Sequence, residues 1–386
     1  MPTLNLPTAE GTIAPFTTSG PRGFDVPKRP FNRIALAAAH VVADPLKTKD
    51  PWLDAAVDWD RTIAYRRHLW KLGLGLAEAM DTSQRGMGLD WPTALELIRR
   101  SIDAARDIPG AVLFSGAGTD HVPPLGGMTV DRVIAAYEEQ CAAIEKLGGR
   151  IILMASRALA ACAKSPDDYL KVYARVLGQV KNKVIIHWLG DMFDPALAGY
   201  WGHKDLDKAM EVCLQMLHAN AGKIDGIKIS LLDKDKEIAM RRRLPAGVRM
   251  YTGDDFNYAE LIAGDEQGHS DALLGIFDAI APAASAALAA LAGNDQDEFH
   301  RILAPTVPLS RHIFQAPTRF YKTGVVFMAW INGHQQHFTM VGGQESARSI
   351  VHFAELFRLA DRAGLIADPD LAARRMASLL ATHGVA

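Results

Sequence analysis

Cysteine is scarce in this chain, and the three present, Cys141, Cys162 and Cys213, are an odd number at wide spacing. That excludes a disulfide framework and a C-x-x-C metal site, and it points to a reducing, cytoplasmic setting. Long apolar runs are missing too. The longest, Ala279 to Gly293, is interrupted by Pro282 and is too short to cross a bilayer. The N-terminus has no basic stretch followed by an apolar one, so no export signal is expected. Charge of one sign is not in excess: the net charge is −2, which gives neither nucleic acid nor an anionic membrane surface a reason to bind. Small polar molecules are the expected partners. Metal signatures are also thin, because no H-x-H, H-x-x-x-H or D-x-D spacing joins the candidate residues into a site. Phe114-Ser115-Gly116-Ala117-Gly118-Thr119 lacks the third glycine and the lysine of a phosphate cradle.

What is present is an ordinary globular composition over 386 residues, 49% apolar and 22% charged. Met1 to Arg29 carries five prolines and three glycines, too little to build a core, and is expected to be an arm with a small hairpin of Leu4, Leu6, Ile13 and Phe16 around Glu10-Gly11. From Phe31 onward short apolar runs alternate with helical-period segments, the pattern of repeated β-then-α units. Eight strands are expected: Arg33 to Ala39, Leu74 to Met80, Ala111 to Ser115, Arg150 to Ala155, Val184 to His187, Gly226 to Ser230, Val248 to Thr252 and Asp271 to Ile276. Helices are expected at Trp91 to Asp107, Val130 to Leu147, Asp167 to Val180, Leu206 to Asn220 and Tyr258 to Gly264. Eight units favour an α/β fold of the (β/α)8 TIM-barrel class, of roughly 250 residues, over an open sheet. The expected division is an N-terminal arm at 1–30, a barrel at 31–284 and a C-terminal helical appendage at 285–386.

Lys223-Ile224-Asp225-Gly226-Ile227-Lys228-Ile229-Ser230 sets one lysine in an apolar strand. Alternation sends Ile227 and Ile229 to one side and Lys228 to the other, so in a barrel Lys228 points inward. Burial disfavours the ammonium and frees an amine able to attack a carbonyl. On a solvated edge the same lysine would be inert.

In such barrels chemistry gathers at the C-terminal ends of the strands. The polar residues there are His40; Asp81, Thr82 and Ser83; Ser115 with Asp120 and His121; Ser156 and Arg157; His187 and Asp191; Lys228; Thr252, Gly253, Asp254 and Asp255; and Asp278. His187 could equally be a core histidine, Asp254 and Asp255 could cap a helix, and Thr82-Ser83 could close a turn. An arginine placed as Arg157 is usually there to meet a carboxylate or phosphate. His334 and His337 read as turn or interface residues.

These pieces, from about Arg33 to Ile366, resemble the dihydrodipicolinate synthase and N-acetylneuraminate lyase family. Ile224-Asp225-Gly226-Ile227-Lys228 is similar to its Schiff-base strand, and Tyr251-Thr252-Gly253-Asp254-Asp255 to the S-G-D-D segment after it. Leu113-Phe114-Ser115-Gly116-Ala117-Gly118 resembles the third-strand turn, and Asp278-Ala279-Ile280-Ala281-Pro282 the end of the eighth strand. The family's G-x-x-G-E turn is here Asp81-Thr82-Ser83-Gln84-Arg85, its relay tyrosine is replaced in Ala155-Ser156-Arg157-Ala158, and its Tyr-Asn is His187-Trp188.

The resemblance implies a lyase, aldolase or dehydratase acting on a keto acid or keto sugar through a covalent Lys228 imine, with no other cofactor. Where the relay tyrosine is missing, His187, titrating near neutrality, or a water held by Ser156 and Asp81 would take over the acid-base work. Thr82, Ser83, Ser156, Arg157, Gly253 and Asp254 would bind substrate, and Asp81 with Arg85 suggests a polyhydroxylated one. A homodimer or homotetramer is implied. One rival is a metal-dependent lyase or isomerase with a divalent cation on His40, Asp81, His187 and Asp254. The other is a non-catalytic sugar-binding or regulatory protein.

Overall fold

The computed structural model describes residues 1–47, 50–123 and 126–385. They group into two compact units, one of Arg33–Ala39 and Gly75–Leu274, the other of Met1–Asn32, His40–Leu74 and Gly275–Ala386.

The terminal segments enter the second unit first. Thr3–Pro7 (β1) and Ile13–Thr17 (β2) form the antiparallel hairpin expected around Glu10-Gly11. Ser19 anchors the arm that follows it: its backbone N–H and hydroxyl donate to the Asp361 carboxylate. The same unit holds the helix Trp59–Lys71 and the C-terminal helices Ala281–Ala292, Gln296–Leu303, Thr306–Ile313, Tyr321–Ile331, Ile350–Arg362 and Pro369–Thr382. The helix-only pattern after Ser285 is therefore present. Tyr321–Ile331 is mostly apolar and wholly buried, Lys322 and Thr323 included. Among the described residues no helix is long and apolar enough to cross a membrane.

The first unit is a closed parallel barrel of eight strands, with neighbours in chain order. They are β3 (Ala35–Ala38), β4 (Gly75–Glu78), β5 (Leu113–Ala117), β6 (Arg150–Leu153), β7 (Val184–Leu189), β8 (Ile224–Ser230), β9 (Arg249–Thr252) and β10 (Asp271–Leu274). Each lies on one of the expected runs. Five of the intervening helices start where a short polar side chain takes up a free N–H, at Asp90, Thr129, Ser156, Asp205 and Asp233. Leu36, Ala77, Phe114, Ile152, Ile185, Tyr251 and Leu273 pack together as the barrel's inner core. Inward positions recur every second residue, so Ile185 and Tyr251 fix which face of β7 and β9 is inside.

Candidate functional site

Lys228 pairs in register with His187 on β7 and Tyr251 on β9. Tyr251 belongs to the inner core and His187 lies two residues beyond Ile185, so Lys228 is on the inward face. Its side chain is buried. Burial pulls its pKa below the usual lysine value, opposed by the carboxylates of Asp255 and then Asp81. Gly253 makes the room: a Cβ there would stand 2.6 Å from Lys228 Cε and 2.3 Å from Ser230 Oγ.

His187 is buried, with Nε2 3.3 Å from Ser230 Oγ. Burial, and then the neighbouring Lys228 charge, push its pKa well below the ordinary histidine range. This corrects the expectation of a group titrating near neutrality. The shift favours the neutral imidazole at physiological pH.

Asp81, Arg85, Asp120, Arg157, His187 and Asp194 line one cleft of about 80 Å³. Asp81 opens a single helical turn, Asp81–Ser83. The backbone around it is strained: Ala79 and Gln84 hold φ of 53° and 67°, a left-handed conformation costing a non-glycine residue roughly 1–2 kcal/mol. Such strain concentrates at functional sites.

The other expected contributors have specific attachments. Ser83 donates its hydroxyl to the Ala39 carbonyl at 2.6 Å, and Thr82 is buried beside it. Ser156 caps the helix Arg157–Cys162 by accepting from Leu159 N–H, and its Oγ lies 2.6 Å from Thr119 Oγ1. Asp254 accepts from Phe256 N–H, Asn257 N–H and Asn257 Nδ2, so it closes the turn before Tyr258–Ala263. Arg157 does meet a carboxylate, that of Asp194 from its own chain.

Arg85 changes meaning most. It is buried and donates to Asp120, to the Ala79 and Gly116 carbonyls and to Gln140 Oε1. A guanidinium so occupied ties the turns after β4 and β5 together, so it no longer argues for a polyhydroxylated substrate. Asp194, Gln140 and Tyr200, whose hydroxyl accepts from Ser156 N–H at 3.1 Å, carry no local signal because each reaches its partners across 19 to 55 residues.

Among the described residues no group of three or more His, Cys, Asp or Glu side chains is arranged to hold a metal ion. His40, one of the four proposed ligands, instead sits in the other unit, 2.8 Å from Asp278 through Nδ1.

Solved structures with this barrel share little sequence with the chain. YagE, a prophage protein of the dihydrodipicolinic acid synthase family from E. coli K12 in complex with pyruvate, is 13% identical, covering 92% of this chain and 99% of its own, with a TM-score of 0.62. Dihydrodipicolinate synthase from Aquifex aeolicus is 11% identical, covering 92% and 98%, with a TM-score of 0.59. The chloride-inhibited dihydrodipicolinate synthase from Acinetobacter baumannii, complexed with pyruvate, is 15% identical, covering 86% and 99%, with a TM-score of 0.60. These likenesses show the fold expected from the resemblance. No curated protein matches the chain. A family model described as "Protein of unknown function (DUF993)" matches residues 4–385.

Proposed function

The chain belongs to the DUF993 family, and we propose that it is a class I lyase or aldolase that forms an imine between Lys228 and a small keto acid or keto sugar. The observation that carries this reading is the inward, buried amine of Lys228, its pKa lowered by burial. Neutral amine is the nucleophile such chemistry needs. The resemblance of Ile224 to Lys228 to a Schiff-base strand agrees with it, as does the pyruvate bound by two proteins of the same fold.

In this reading the lysine nitrogen attacks the substrate carbonyl carbon, the carbonyl oxygen leaves as water, and the protonated imine receives the electron pair released when a carbon-carbon or carbon-oxygen bond breaks. Asp81, in the cleft, accepts and returns the proton, while the neutral imidazole of His187 orients the reacting group. Arg157 at the same cleft meets a substrate carboxylate, shared with Asp194. Ser156, Thr82, Ser83, Gly253 and Asp254 shape the surrounding turns rather than bind directly. The enzyme would be cytoplasmic and homo-oligomeric.

The test is borohydride trapping with a panel of 2-keto acids and keto sugars, followed by peptide mass spectrometry. A reduced adduct on Lys228, absent from Lys228→Ala, is expected. No adduct across the panel overturns the reading; ligand-induced stabilisation without adduct would then favour a binding protein, and chelator-sensitive turnover without adduct a metal-dependent enzyme.

A further inference from the structure

The second unit contains a larger cavity, of about 360 Å³, that the Lys228 reading does not use. Its volume is within the roughly 300–1,000 Å³ of small-molecule pockets. Phe24 of the arm, Met328 and Leu365 supply an apolar wall, and His68, His334 and Tyr65 supply the polar side.

Aromatic rings are gathered there. The His68 and His334 ring centroids lie 4.7 Å apart, Tyr65 is 4.9 Å from His334, and His40 is 4.5 Å from Tyr65. Asp278 holds the group from behind. Its carboxylate accepts from His40 N–H at 2.8 Å, approaches His40 Nδ1 at 2.8 Å and accepts from the Tyr65 hydroxyl at 3.1 Å. Its hydrogen-bonding capacity is largely engaged within the protein. Asn332 is similarly occupied, donating to Met328 O and accepting from Ala367 N–H.

What remains open is imidazole. His68 Nε2 is buried with no hydrogen-bond partner, and so is His40 Nε2. Burial keeps His68 below its ordinary pKa and, with His68 and His40 as neighbours, pushes His334 down to about 4. A neutral imidazole offers one N–H and one lone pair, which suits a hydroxyl that both donates and accepts. Arg22 and Asp278 both line the cavity, so an ion of either sign meets a like charge there as well as an opposite one, and it would have to be desolvated against apolar walls and rings. Leaving a buried imidazole nitrogen unpaired is costly, and a ligand hydroxyl would relieve it.

We infer that this cavity is a second binding site, for an uncharged ring compound bearing a hydroxyl, with its apolar body against Phe24, Met328 and Leu365 and its hydroxyl between His68 and His334. The site is independent of imine formation.

Phenol and cyclohexanol are the probes, with benzoate and cyclohexylamine as charged counterparts, measured on the full chain by calorimetric titration and by histidine-ring NMR. Saturable binding of phenol or cyclohexanol is expected, with shifts of the His68 and His334 ring nitrogens and at least a tenfold loss of affinity in His68→Leu. His334→Asn, which keeps a polar group, gives the same reading should His68→Leu fail to fold. Borohydride trapping at Lys228 should be unchanged in both variants. No binding of either neutral probe overturns the inference, as does tighter binding of benzoate or cyclohexylamine, or binding that leaves both rings unshifted.

Discussion

Lys228 in the barrel and the histidines around Asp278 are both nitrogen bases taken out of water, yet their settings differ. Around Lys228 two effects oppose one another: burial lowers the amine's pKa while Asp255 and Asp81 raise it. Opposition of that kind leaves a base that can change state during a reaction. Around Asp278 the carboxylate is engaged with His40 and Tyr65, and burial of His334 is reinforced by His68 and His40, with Asp278 opposing least. Groups held in one protonation state recognise a ligand better than they transform it. On the two proposals, the contrast is one between a reactive site and a recognition site.

The strongest way to break the contrast is Lys228→Met. It keeps the apolar stem, removes the amine, and is expected to abolish both adduct and turnover while the protein remains folded by circular dichroism. Retained turnover would show that Lys228 is no more reactive than the buried histidines.

Asp278→Ala tests the other side. It strands the buried His40 N–H, while Tyr65 keeps its 2.7 Å bond to the main-chain carbonyl at position 278, and losing the carboxylate should cost about 3 kcal/mol in denaturant unfolding. Adduct formation at Lys228 should survive at concentrations where the variant is folded. Loss of the adduct in folded Asp278→Ala would erase the division between the two settings.

Gly253→Ala sharpens the account of Lys228 itself. The new methyl would stand 2.6 Å from Lys228 Cε and 2.6 Å from the Ile229 carbonyl oxygen, so the amine must move. Overpacking of this kind costs about 1–3 kcal/mol, and trapping should slow by more than the stability loss accounts for. A variant that traps at the wild-type rate would show that the position of the amine is not set by this contact.

The barrel was legible because its information is local. Val184-Ile185-Ile186 and Ile227-Lys228-Ile229 announce their strands by side-chain type alone, and alternation then gives the facing of Lys228. The helix Trp59–Lys71 was not foreseen, since Arg61, Arg66, Arg67 and Lys71 mask its apolar period. Site residues were legible only as a set of positions. That Arg85 would be consumed by Asp120, Arg157 paired with Asp194 and His40 bound to Asp278 depends on segments 35, 37 and 238 residues apart, and no spacing rule reaches that far. These partnerships exist only once the fold has brought distant segments together.

Glu237 offers the most indirect test, because it asks whether burial alone, without a reaction to serve, shifts a group as it shifts Lys228. It lies on the helix Lys234–Arg241, accepts from the Ser270 hydroxyl at 2.6 Å, and is pushed by burial up to about 8. In the unfolded chain the carboxyl ionises near 4.5. Between those values the folded protein holds a proton that the unfolded chain has released, so stability falls as pH rises from about 4.5 to about 8 and levels off above it. Glu237→Gln mimics the protonated state at every pH. It should match the wild type in stability near pH 4.5 and exceed it by several kcal/mol, roughly 5 at most, at alkaline pH, a difference ample to measure by calorimetry. Parallel melting curves for the two proteins across this range would mean that water or a counter-charge reaches Glu237, and that burial in this barrel is a weaker lever than the lowered pKa of Lys228 requires.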